Sequence, residues 1–239
     1  MNSNFLKFCP QLLEIINSGT TIAEDGRRVS VSGVSTLNNL WFLREALLWH
    51  KYTSVLEIGL AYGASALTIL STLCELHADT ALIHHTAIDP YQSRFWGNSA
   101  LSSIRAAGLD NCFTFHEDFS AFVLPSLLKK NNKYSLIYVD GSHAFENVFL
   151  DLFFSARLLE IGGMLVFDDC SHPQVAKAVR YLRRNYAPFL SEVSYRIYRP
   201  PGLSLVKQIG NAVGIRQLRA FQKNSEVPWS KWTDRFRDF

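Results

Sequence analysis

The chain has 239 residues, 48% of them hydrophobic and 19% charged, a balance that suits a folded protein and excludes global disorder. Its formal net charge of +3 is too small to imply a nucleic-acid partner. No apolar run reaches the roughly 18 residues of a membrane span, and Cys9, Cys74, Cys112 and Cys170 are too scattered for a disulfide framework or a zinc module. The N-terminus lacks the apolar stretch and cleavage site of a secretory signal, so a cytoplasmic protein is expected.

Residues 1–50 predict a helical lid or substrate segment interrupted by a polar loop over Thr20 to Ser35. Beyond it, Leu37, Leu40, Trp41, Leu43, Ala46, Leu47 and Leu48 recur at helical spacing. From there short apolar runs alternate with helical patterns. The expected strands are Ser54–Gly59, Thr86–Asp89, Phe113–His116, Ser135–Asp140 and Met164–Asp168. The expected helices are Ala64–Leu76, Ser99–Ala107, a segment around Pro125, and Phe145–Leu159, which Gly162 and Gly163 should end. The aromatic stripe of that last helix reads as core. This alternation predicts an α/β, doubly wound, Rossmann-like parallel sheet covered by helices on both faces.

A further helix is expected at Gln174–Asn185, then strands Glu192–Tyr198 and Leu203–Gln208 joined by the Arg199–Gly202 turn. They would close the sheet with an antiparallel hairpin. The main domain is therefore placed at 51–210, followed by a basic extension over 211–239. From residue 196 onward nine Lys or Arg face three acids, a pattern read as a solvated tail or a packed helix, and less readily as a cover for an acidic substrate.

The first strand runs into Glu57-Ile58-Gly59-Leu60-Ala61-Tyr62-Gly63-Ala64-Ser65 and then into a helix. Glycines at such a junction allow a tight turn and close approach of a ligand to the backbone. An ordinary strand–helix turn is one reading and a nicotinamide loop another. Ala61 and Gly63 do not reproduce GxGxxG, and an acid stands two residues before the first glycine. Two further acidic clusters follow: Asp140-Gly141-Ser142-His143 after the fourth strand and Asp168-Asp169 after the fifth. Parallel strands bring such ends to one rim, where three carboxylates repel unless protonated, paired or bound to a hard cation. Helix capping by Ser142, Asp169 and Ser171 is the plainer alternative. Imidazole, with an ordinary pKa of about 6.5, suits proton removal at neutral pH. His143 is therefore either a base or a packing partner. Tyr91, Phe95 and Trp96 either line the site or pack in the core, and Cys170 reads as packed.

The Glu57-x-Gly59-x-x-x-Gly63 motif, with Asp89 ending the second strand, resembles class I S-adenosylmethionine-dependent methyltransferases. The resemblance spans about residues 50–210 and implies their seven-stranded sheet, mostly parallel with a terminal antiparallel hairpin. It implies cofactor contacts from Glu57, Gly59, Ala61, Gly63, Ser65, Asp89 and Asp140. Asp118 would face the adenine, with neighbouring Glu117 as its rival. The strand-end acids resemble those of metal-dependent small-molecule O-methyltransferases of the macrolide-sugar and caffeoyl-coenzyme-A types. That resemblance implies Asp140, Asp168 and Asp169 as ligands of Mg2+ or another hard divalent cation; Asp140, and His143 as a base beside these acids, are the expected catalytic residues. His143 stands where the caffeoyl branch carries a lysine, so the acceptor stays open. Expected partners are a small-molecule acceptor and a second copy of the chain, with no membrane. N-methylation without a metal, a nicotinamide oxidoreductase and a non-catalytic cofactor-binding module remain alternatives.

Overall fold

A computed structural model of the chain describes residues 7–33, 35–193, 217–229 and 234–239. They fall into two compact units, one of the described residues up to Phe119 and one from Ser120 onward.

In the first unit, α1 (Pro10–Ser18) opens on a proline whose missing N–H costs nothing there, and Gly19 ends it in the left-handed conformation. The polar segment expected as a loop instead forms a two-stranded ladder, β1 (Thr20–Ile22) against β2 (Arg28–Ser30). Its turn is made by Gly26 at φ +84° and by Asp25, which accepts the Arg27 N–H at 3.0 Å. Next come α2 (Leu37–His50), capped by Thr36, and the βαβ sequence β3 (Ser54–Ile58), α3 (Ala64–Leu76), β4 (His84–Ile88). Helix α4 (Ser99–Ala106) and β5 (Phe113–His116) complete the unit, with β3, β4 and β5 paired in parallel.

The second unit holds α5 (Ser120–Lys129), β6 (Tyr134–Val139), α6 (Phe145–Leu158), β7 (Leu159–Phe167), α7 (Pro173–Asn185), β8 (Leu190–Glu192) and β9 (Arg219–Lys223). Every residue of β6 is buried, as expected of a strand covered on both faces. Gly162 and Gly163 do not end α6, which stops at Leu158; both lie inside β7. Gly163 has a packing reason, since a Cβ there would stand 2.8 Å from the Ser135 carbonyl. The stripe of α6 expected as core is only partly so: Leu152 and Ala156 are buried, whereas Phe145, Phe149 and Phe153 are half-buried. Phe145 stacks on Phe239, Phe149 meets Tyr181 edgewise, and Phe153 lies tilted against Trp229.

The strands form a seven-stranded sheet in the order β5-β4-β3-β6-β7-β9-β8. β3, β4 and β5 pair in parallel, as do β6 and β7, and β9 runs antiparallel to both β7 and β8. The doubly wound sheet with an antiparallel pair at one end is thus as expected. The pair's identity differs, because β9 lies at 219–223, in the segment read as a basic extension. The strand expected at 203–208, and most of the one at 192–198, lie outside the described residues. No helix among the described residues is long and apolar enough to cross a membrane.

Candidate active site

In the first unit, β3 carries Glu57 into the interior, where it is fully buried. A carboxylate there needs partners. The Ser65 hydroxyl, from the first turn of α3, donates to Glu57 Oε1, and His85 Nε2 of β4 lies 3.0 Å from Oε2. Glu57 and Ser65, both expected to serve the cofactor, are therefore fastened to each other beneath the loop.

The loop itself is unusual backbone. Gly59, Ala61 and Gly63 all have positive φ, +93°, +45° and +80°. At Gly63 a Cβ would stand 2.9 Å from Ala100 Cβ, so only glycine lets α3 begin this close to α4. Asp89 closes the loop from the end of β4: its Oδ2 accepts the N–H of Leu60 at 3.0 Å and of Ala61 at 2.9 Å. Its Oδ1 accepts the N–H of Tyr91 at 2.8 Å. Of the two acids after β5, Glu117 accepts the Ser93 N–H at 2.7 Å, which ties it to the segment following Asp89. Asp118 is exposed and accepts its neighbour Phe119's N–H at 2.7 Å. Tyr91 and Phe95 are exposed, and Trp96 packs edgewise on Tyr62.

In the second unit, β6 and β7 run in parallel with Val139 beside Phe167, so Asp140 and Asp168 leave adjacent strand ends. Asp140, His143 and Asp169 come together, with one ligand-type atom from each lying within 4.8 Å of the others. His143 Nε2 is 2.8 Å from Asp169 Oδ2. Asp168 does not join that group. It is buried, accepts the Tyr138 hydroxyl at 2.5 Å on Oδ2 and takes the Asp169 N–H at 2.7 Å on Oδ1. The same Tyr138 hydroxyl lies 3.0 Å from Asp140 Oδ2. What sets Asp168 apart from the three-carboxylate set expected from sequence is that it is buried and lies outside the cluster; Asp169 also has a partner on each oxygen, His143 Nε2 and, at 3.3 Å on Oδ1, the Gln217 amide.

Ser142 accepts the Ala144 N–H at 3.2 Å and the Asn147 amide at 2.9 Å, the local capping expected of it. Asp169 has left-handed φ, and no side chain caps α7. Burial, with the Asp168 carboxylate adding to it, pushes the Cys170 thiol well above its usual range. That fits a packed residue. Sequence reasoning missed His85, Gln92 and Tyr138. Their only sequence signal was position: a polar residue inside or just past an apolar strand.

This loop, closed by an acid from the next strand, is the feature on which the resemblance to class I methyltransferases rests. Residues 56–170 match the family described as a methyltransferase domain, and the expected enzyme class is borne out. Among solved structures, the chain is similar to the tomaymycin-pathway O-methyltransferase of Streptomyces achromogenes, solved with S-adenosylmethionine. The identity is 16%, over 67% of this chain and 73% of that one, with a TM-score of 0.54. An O-methyltransferase of Bacillus cereus with bound S-adenosylhomocysteine is 15% identical over 80% and 86%, with a TM-score of 0.61. A protein of Klebsiella pneumoniae described as a putative O-methyltransferase is 18% identical over 90% of each chain, with a TM-score of 0.63. No curated protein matches the chain.

Proposed function

We propose that the protein transfers a methyl group from S-adenosylmethionine to a hydroxyl oxygen of a small molecule, with a divalent cation assisting. The observation that carries this reading is the pairing of His143 with Asp169 at 2.8 Å beside Asp140. The solved relatives named as O-methyltransferases lend it support.

The residues present fit the cofactor. Gly59 and Gly63 leave the backbone of the loop approachable, and the nearly buried Asp89 offers the carboxylate suited to a sugar hydroxyl. Bound there, S-adenosylmethionine supplies a methyl group already activated by its positive sulfur. What remains for the chain is to align the acceptor and take up its proton. Asp169 against Nε2 fixes the His143 ring and stabilises the imidazolium, leaving Nδ1 to accept that proton. The donor set also fits a cation. Asp140 and Asp169 would be its carboxylate ligands, and the Tyr138 hydroxyl, which donates to Asp168, stands 3.0 Å from Asp140 Oδ2. In that place a magnesium ion would lower the pKa of the acceptor hydroxyl.

His143→Gln keeps a polar side chain but cannot act as a base. Turnover on hydroxylated acceptors is expected to fall about a hundredfold or more. Calorimetric affinity for S-adenosylmethionine should stay within about twofold of wild type. Undiminished turnover in this variant would sink the assignment.

A further inference from the structure

The peptide at Ala61 is gripped from both ends. Its N–H, with that of Leu60, is held by Asp89, and its carbonyl accepts the side-chain amide of Gln92 at 2.7 Å. Gln92 is fully buried, and its own backbone carbonyl accepts the Asn98 N–H at 2.8 Å, which closes the turn carrying it. Ala61 needs this grip. It is a residue with a Cβ held at φ +45°, a left-handed conformation that persists only where its surroundings enforce it. The same turn presses on the loop a second time, through Trp96 against Tyr62.

Asp89 cannot hold this shape alone and still serve a ligand fully. A carboxylate has about four acceptor positions; the N–H groups of Leu60, Ala61 and Tyr91 take three, and the Gln92 side-chain amide stands 3.5 Å from Oδ2. A diol ligand therefore competes with these donors, and each loop N–H released from Asp89 would have to be held some other way. Through the Ala61 carbonyl Gln92 also holds the next peptide, Ala61–Tyr62, which Asp89 does not touch.

We propose that Gln92 is a positioning residue of the cofactor loop, which fixes the Ala61 peptide so that the loop is shaped before S-adenosylmethionine binds. This rests on the cofactor reading above. Pre-shaping removes the ordering cost from binding, so its loss appears in affinity.

The test pairs calorimetric titration with S-adenosylhomocysteine with amide hydrogen exchange of the unliganded protein, in wild type and Gln92→Met. Met matches Gln in length but donates nothing to the Ala61 carbonyl. The expected result is affinity weakened about tenfold or more, and faster exchange confined to the Leu60 and Ala61 amides. A role in general stability would instead raise exchange throughout α3 and β4. Should Gln92→Met not fold, Gln92→Asn, polar but one methylene short, carries the same expectation. Unchanged exchange at Leu60 and Ala61 with unchanged affinity would overturn the proposal. Faster loop exchange in a variant whose wild type binds no S-adenosylhomocysteine would keep the clamp and overturn the cofactor.

Discussion

Glu57 shows how far single residues could be read. Its place two positions before a glycine marked it in the sequence, yet the partner that makes it tolerable is His85, on the next strand and without any motif. The two stand 3.0 Å apart with neither exposed to solvent. Replacing His85 with Phe keeps a ring against Phe113 but takes away the neighbour of Glu57 Oε2, leaving the buried carboxylate the Ser65 hydroxyl. Removing one partner of such a pair is expected to cost about 3–5 kcal/mol. Urea unfolding measures it, and adding Glu57→Gln should recover much of the loss. Gln92 and Tyr138 were illegible for the same reason: their roles are set by groups far along the chain or across a strand. Asp140 and Asp169, which the structure brings beside His143, stood out as strand-end acids, whereas the bond of Asp168 to Tyr138 depends on a phenol that read as ordinary strand.

At the scale of elements, alternating apolar runs located β3 to β7 and the helices between them. What escaped was β9. Arg219 and Lys223 read as part of a basic tail because their partners come from elsewhere. Arg219 pairs with Glu192 at 2.7 Å, and the buried Lys223 with Glu226 at 2.7 Å and the Leu159 carbonyl at 2.7 Å. Helix α6 hides a second buried charge that the sequence placed on no particular face. Asp151 is buried, and that burial pushes its carboxyl up to about 7, against a weaker opposing hydrogen bond from Ser120. An unfolded aspartate titrates near 3.9. Between those values the folded protein keeps a proton that the unfolded chain has released, so stability declines as pH rises through this window. The decline is roughly 4 kcal/mol when complete. Asp151→Asn should flatten it, so that urea unfolding at about pH 4.5 and about pH 8 shows a gap between variant and wild type that widens toward the higher pH.

For the molecule as a whole, the sheet class followed from strand–helix alternation, because only a parallel sheet covered on both faces buries runs such as β6 on every side. The proposed chemistry rests on combining a loop, an acid and a rim, none of which is specific alone. Ligand linkage tests it globally. At a hundred times its dissociation constant, S-adenosylhomocysteine should stabilise the fold by about 2.7 kcal/mol. For a chain of this size that is a rise of roughly 5–10 °C in melting temperature. NAD at the same concentration should leave the melting curve where it is, and a shift with NAD alone would identify a different enzyme.

The position of β9 also bears on how the protein is made. This strand lies between β7 and β8, so β8 cannot join the sheet until β9 has arrived. A ribosome that has finished Phe167 must continue to Lys223 before the β7 edge gains its neighbour. At about 5–20 residues per second that takes several seconds. For that interval the nascent chain displays an open, apolar strand edge. Coexpressed chaperone should therefore raise the soluble fraction of this protein, measured against expression without it.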